Sequence, residues 1–216
     1  MNNMIKMFEL QDAFNKKVHP EWRAQNFAFD EAIIVESGEL LEHLGYKWWK
    51  ANEIDINQAV MELVDIWHFG MSHMIMNSDD ETTFEELADN IGSQDYFLLQ
   101  NQRVEHLDIN HIKQCIKSII HCVSDLDYSF FDIESFMSAW FNFGLDYDDL
   151  YKKYVGKNAL NEFRQNNGYK SGTYIKIWDG REDNEFLTDI LQTIAIDENL
   201  YTDVMQQLDA IYSTVK

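Results

Sequence analysis

Apolar side chains recur every three or four positions along nearly the whole chain, the period of helices that bury one face. The pattern predicts helices over 4–16, 30–44, 55–77, 83–100, 109–124, 132–143, 146–167, 183–194 and 198–214. Gly45 reads as a C-terminal stop, Asp30 or Asp55 as helix starts, and the run from Ser78 to Thr83 as a turn with an N-cap. Residues 168–182 form a long glycine-containing passage without helical period, a kind of segment that in compact domains often carries function. The fold class expected is all-α. No linker-like run interrupts the chain, so residues 1–216 are expected to form a single domain.

Two of these helices carry carboxylates at matching intervals. Glu36 and Glu39 are three apart on 30–44, and Glu62 and Asp65 are three apart on 55–77, so each pair shares a helix face. Ile33, Ile34, Leu40, Leu41 and Leu44 make the apolar stripe of the first helix, and Val60, Val64, Trp67 and Met71 that of the second. A solvated acidic face explains either pair alone. The repeat of the spacing, apolar Ile66, Phe69 and Met76 on or beside the second acidic face, and Gly38 inside the first pair point instead to a site. Four converging carboxylates suit hard, octahedral Mg²⁺.

Charge sharpens this reading. The chain holds 38 acidic and 17 basic residues, a formal net charge of −21. Such a field repels nucleic acid and anionic membranes, and it also repels phosphorylated substrates unless a cation or a basic cluster intervenes. One such cluster exists: between 157 and 181 five basic residues (Lys157, Arg164, Lys170, Lys176, Arg181) face two acidic ones. Lys157, Asn161 and Arg164 fall on one helix face. They read as a phosphate clamp or as an ordinary face paired with nearby acids. Trp48 and Trp49, set between Lys47 and Lys50, read equally as a stacking wall for a base or as a plug for the end of a bundle.

A single proline suits long helices. Cys115 and Cys122 are seven apart, about 10 Å along one helix, too far for a disulfide; they are expected as buried thiols in a reducing compartment. The start MNNMIKMFEL lacks the apolar run of a signal peptide, and no stretch has the length of a membrane span, so a cytoplasmic protein is expected. Zinc-binding, P-loop and dinucleotide motifs do not occur.

The run from Glu36 through Glu39 to Tyr46-Lys47-Trp48-Trp49-Lys50, followed by Glu62-Leu-Val-Asp65-Ile-Trp-His-Phe69, resembles the dimeric all-α dUTPase family. So does the block from Gly156 through Asn161, Arg164 and Lys170 to Asn184. The wider superfamily, which includes the MazG-type pyrophosphohydrolases, shares ExxE, a spacer (here 22 residues, 40–61) and ExxD. The resemblance implies Mg²⁺-dependent hydrolysis of dUTP, and of dUDP, to dUMP by a homodimer. Glu36, Glu39, Glu62 and Asp65 would hold two or more Mg²⁺ ions, with Mn²⁺ as a substitute. One of the ExxE glutamates, Glu39 by preference over Glu36, would act as the base toward a water attacking the β-phosphorus. Phe69 would pack on the deoxyribose. Gln11, Trp48 or Trp49, and Asn161 would contact uracil. Lys157, Arg164 and Lys170, with Lys176 and Arg181, would serve the phosphates, and Asn184 would also bind substrate. Core helices over about 1–77 and 109–167, a variable insert over about 78–108 and a substrate-closing loop over about 168–184 complete the expectation. Phage members of the family also bind regulatory proteins, and the acidic surface would suit a basic partner. A MazG-like enzyme of other base preference and an acidic helical interaction module are the alternatives.

Overall fold

The computed structural model describes residues 2–92 and 107–215, and helix dominates them. Among the described residues the chain is all-α apart from one two-stranded hairpin. It divides into two compact units, Met1–Leu150 and Tyr151–Lys216.

In the first unit α1 (Asn2–Val18) is followed by a 3₁₀ turn (Trp22–Gln25) absent from the periodic pattern, then by α2 (Phe29–His43) and α3 (Ile56–Met76). α4 (Phe84–Gly92), α5 (Ile109–Val123) and α6 (Ile133–Asn142) complete it. The expected helix over 83–100 is seen as far as Gly92, and the rest of it lies outside the described residues. α2 ends in a Schellman motif: Gly45 takes φ 66°, its N–H donates to the Glu42 carbonyl, and the Tyr46 N–H donates to the Leu41 carbonyl. Asp55 caps α3 by accepting from the Gln58 N–H at 3.0 Å, whereas Asp30 lies inside the first turn of α2, whose N-cap is Ala28. The Asp55 N–H also donates to the His43 carbonyl at 3.0 Å, closing α2 and α3 into a helical hairpin. Thr83 and Glu86 form a capping box on α4.

α3 is the axis of this unit. Its expected stripe, Val60, Val64, Trp67 and Met71, is buried, but so are Ile66, His68, Ser72 and Ile75, so the helix has no wholly solvated side. On α2 burial is narrower than expected: Ile33 and Leu40 are buried while Ile34 and Leu41 are partly exposed. Cys115 is buried, Cys122 is half-buried, and both are free thiols.

The second unit holds most of α7 (Tyr147–Asn166), the hairpin β1 (Ile177–Trp178) and β2 (Arg181–Glu182), α8 (Asp183–Thr193) and α9 (Leu200–Tyr212). Asp179 and Gly180 join the strands with φ 47° and 82°, the left-handed pair that a tight hairpin turn needs. The non-helical passage is thus partly a strand pair. It is also pinned: Tyr174 stacks on Tyr212 of α9 at 5.3 Å, Trp178 lies 5.3 Å from the same ring, and the Ile175 N–H donates to the Tyr212 hydroxyl.

Candidate active site

Pairing of α2 with α3 brings three of the four expected carboxylates together. One oxygen each from Glu36, Glu62 and Asp65 lie within 4.8 Å of one another. Glu62 is buried, 6% exposed, and the other two are partly exposed. His43 Nε2 stands 3.6 Å from Glu62. Glu39 is exposed and lies outside this cluster. Helical spacing places Glu36 and Glu39 on one face, yet only Glu36 joins the α3 carboxylates. A Cβ built on Gly38 meets nothing within 4 Å, so close packing does not explain that glycine. Three hard, anionic oxygen donors from two rigid helices fit a divalent cation of the Mg²⁺ type.

One helical turn beyond Asp65, Phe69 enters an apolar cavity of about 210 Å³. Phe14, Val18, Trp22, Phe27 and Phe29 complete its apolar lining, and Asn15 is its polar member. Neither Asn15 nor the aromatic cluster from 22 to 29 was distinguishable in the sequence, because the residues come from three elements. Behind the cavity wall sits a buried polar network. Gln11 Nε2 donates to Asn15 Oδ1 at 3.1 Å, and Asn15 Nδ2 donates to Ser72 Oγ at 2.9 Å. Ser72 donates to the His68 carbonyl at 3.0 Å, and His68 Nδ1 lies 2.8 Å from Gln11 Oε1. Gln11 is therefore 3% exposed and tied to α3.

Trp48 and Trp49 are 88% and 58% exposed and meet edge to face at 5.7 Å, so they do not plug a bundle end in this chain.

In the second unit the basic residues are largely matched by acids. Arg164 grips Asp183 through two bonds, Nε at 2.8 Å and Nη2 at 2.7 Å, and also reaches Asn161 and Asn184. The Asp183 side chain is fully buried. Lys157 is buried and donates to Asn184 Oδ1 at 3.0 Å. Burial alone would raise the Asp183 carboxyl, but the Arg164 guanidinium, the Tyr174 hydroxyl and Lys157 outweigh it and hold it below the usual range. Lys176 pairs with Glu182 at 2.9 Å. Arg181 pairs with Glu185 and Asp189 and lies over the Phe186 ring. Lys170 is exposed. Of the two readings of the basic face, pairing with acids describes Arg164, Lys176 and Arg181 as they stand here.

An all-α frame that sets a carboxylate cluster one helical turn from an apolar cavity has the makings of a metal-assisted nucleotide hydrolase. The dUTPase family model matches residues 3–169, and the chain belongs to that all-α family, whose members hydrolyse dUTP and generally need a divalent cation. The match contains the carboxylates, Gln11, Phe69, Asn161 and Arg164, while Lys170, Lys176, Arg181 and Asn184 follow it. No curated protein matches the chain.

Proposed function

We propose that this chain hydrolyses dUTP to dUMP and pyrophosphate, and dUDP to dUMP and phosphate, with Mg²⁺ held by Glu36, Glu62 and Asp65. The observation that carries the reading is the position of Phe69 in the apolar cavity, one turn of α3 from Asp65. A deoxynucleoside seated against Phe69 would direct its phosphates along α3 toward the carboxylates. When bound, divalent cations there neutralise phosphate oxygens and acidify water, and Mn²⁺ can replace Mg²⁺ in that role. Two or more ions belong to the same reading.

The chain's own residues do the rest. Glu39, exposed one turn along from Glu36, takes the proton of the water that attacks the β-phosphorus. Phe69 packs on the deoxyribose face and leaves no polar partner for a 2′-hydroxyl. Asn15, with Gln11 behind it, offers an amide N–H and oxygen to the imide edge of uracil. Asn161 keeps its uracil assignment on the sequence resemblance. Trp48 or Trp49 supplies an aromatic face. Of the second unit's candidates, exposed Lys170 suits a phosphate best, with Lys157, Arg164, Lys176, Arg181 and Asn184 assigned on the resemblance. A homodimer is part of the same proposal.

Pyrophosphate and phosphate release measured on dUTP, dUDP, dCTP, dTTP and dATP, with Mg²⁺ and with EDTA, tests it. Release from dUTP and dUDP that EDTA abolishes is the expected result. Equal rates on dUTP and dCTP would replace it with a MazG-like enzyme of broad base preference. Absence of release from every nucleotide would leave an acidic helical interaction protein.

A further inference from the structure

The four bonds behind the cavity form a ring that begins and ends on one residue. The His68 carbonyl accepts from Ser72 Oγ, Ser72 accepts from Asn15 Nδ2, Asn15 Oδ1 accepts from Gln11 Nε2, and Gln11 Oε1 faces His68 Nδ1. An amide oxygen can only accept, so with Gln11 Oε1 turned toward the imidazole the matching tautomer carries its proton on Nδ1. In this imidazole tautomer each amide has one orientation that keeps every bond, and reversing the ring as a whole requires moving the imidazole proton to Nε2. Turning Asn15 over would set its Nδ2 against Gln11 Nε2, donor to donor, and its oxygen against a serine whose hydrogen is already spent on the His68 carbonyl.

Asn15 has two amide hydrogens and two oxygen lone pairs, and the ring uses one of each. Asn15 is also the polar residue lining the cavity that holds Phe69. We propose that His68 and Ser72 are positioning residues for base selection: they touch no base themselves but lock the donor–acceptor order that Asn15 presents. Uracil and cytosine differ in that order, since N3 is a donor in one and an acceptor in the other. An amide free to turn over serves either base, whereas an amide locked one way rejects one of them. This inference rests on the proposed seating of the base in that cavity.

The test compares the wild-type chain with H68L, H68N and S72A. It records kcat and KM for dUTP and dCTP, calorimetric binding of dUMP and dCMP, and Tm. H68L removes the donor to Gln11. H68N restores one, because an asparagine amide nitrogen reaches the place of imidazole Nδ1. S72A removes the acceptor for Asn15 and keeps the helix intact if H68L folds poorly. The expected result is a fall of about tenfold or more in the dUTP-to-dCTP ratio of kcat/KM for H68L or S72A, roughly one hydrogen bond's worth. The loss should sit in KM and be matched in the dUMP-to-dCMP affinity ratio, with H68N near wild type. Equal losses on both nucleotides, or an unchanged ratio in H68L and S72A, would overturn the positioning role while the base cavity stands. A wild-type chain that binds dUMP and dCMP alike would overturn the base reading beneath it.

Discussion

The acids of the two units meet opposite fates. In the first, Glu36, Glu62 and Asp65 converge on one another from two helices, with His43 at the edge. In the second, Asp183 is at least as deeply buried but is met by a guanidinium through two bonds, by a phenol and by a lysine nearby. Bringing like charges together costs stability and makes sense where a cation is to be gathered. Burying an acid against its own counter-ion engages both charges with each other in the ligand-free chain. The first arrangement suits the gathering of a cation and the second ties α7 to α8 in the ligand-free chain, although both draw on residues that the sequence marks as candidate site.

That contrast can be broken at several points. E62Q should reduce kcat/KM on dUTP by about a thousandfold or more, near 4 kcal/mol in the barrier, with Tm held or raised. A normal rate in this variant would remove Glu62 from the site. R164A should act in the reverse sense, lowering folding stability by about 3 kcal/mol or more because Asp183 is left buried and unpaired. Denaturant unfolding measures this, and a stable R164A that has merely lost activity would restore the phosphate-clamp reading.

The pH dependence sharpens the same point. Asp183 has a folded pKa below its ordinary 3.8. Its contribution is therefore fully present above the unfolded value and is lost as pH falls through the lowered folded one. Stability of the wild type should drop on acidification below about pH 4 more steeply than that of D183N, which has no carboxyl to protonate there. Parallel curves for the two proteins would contradict the pairing. The smallest effects belong to the exposed candidates: K170A and W48A should each shift stability by no more than about 0.5 kcal/mol, so that any loss of activity in them reports on substrate.

Much of the helical frame was legible because it is written locally. The ends of α2 and α3 follow from Gly45 and Asp55, and Phe84–Gly92 from the Thr83 capping box. The Asp179-Gly180 turn carried its own signal, a residue pair suited to two left-handed conformations, yet it sat in a passage recognisable only as non-helical. Partnerships across the chain were not legible. Arg164 finds Asp183 nineteen positions on, and Asn15 finds Ser72 fifty-seven positions on. Nothing in helical period encodes such meetings. The same limit separates Glu36 from Glu39: spacing puts both on one face, and only the folded chain shows that Glu36 is the one grouped with Glu62 and Asp65.

Gly70 on α3 has a side chain's worth of room, and another residue occupies it. A Cβ there would fall 2.6 Å from the Phe131 ring, which lies tilted against Trp67 and Phe136. Positions 70 and 131 therefore share one volume, like two tenants of a single room. Growth at 70 calls for a smaller side chain at 131, and the order of the two changes matters. A lineage that took the glycine's change first would pass through an overpacked ancestor, roughly 1–3 kcal/mol less stable. One that trimmed the phenylalanine first would pass through a cavity, at a comparable or larger loss of about 3–5 kcal/mol if cut to alanine. Either order carries a cost, so the contact between the segment after α5 and the central helix resists change at one of its two positions alone.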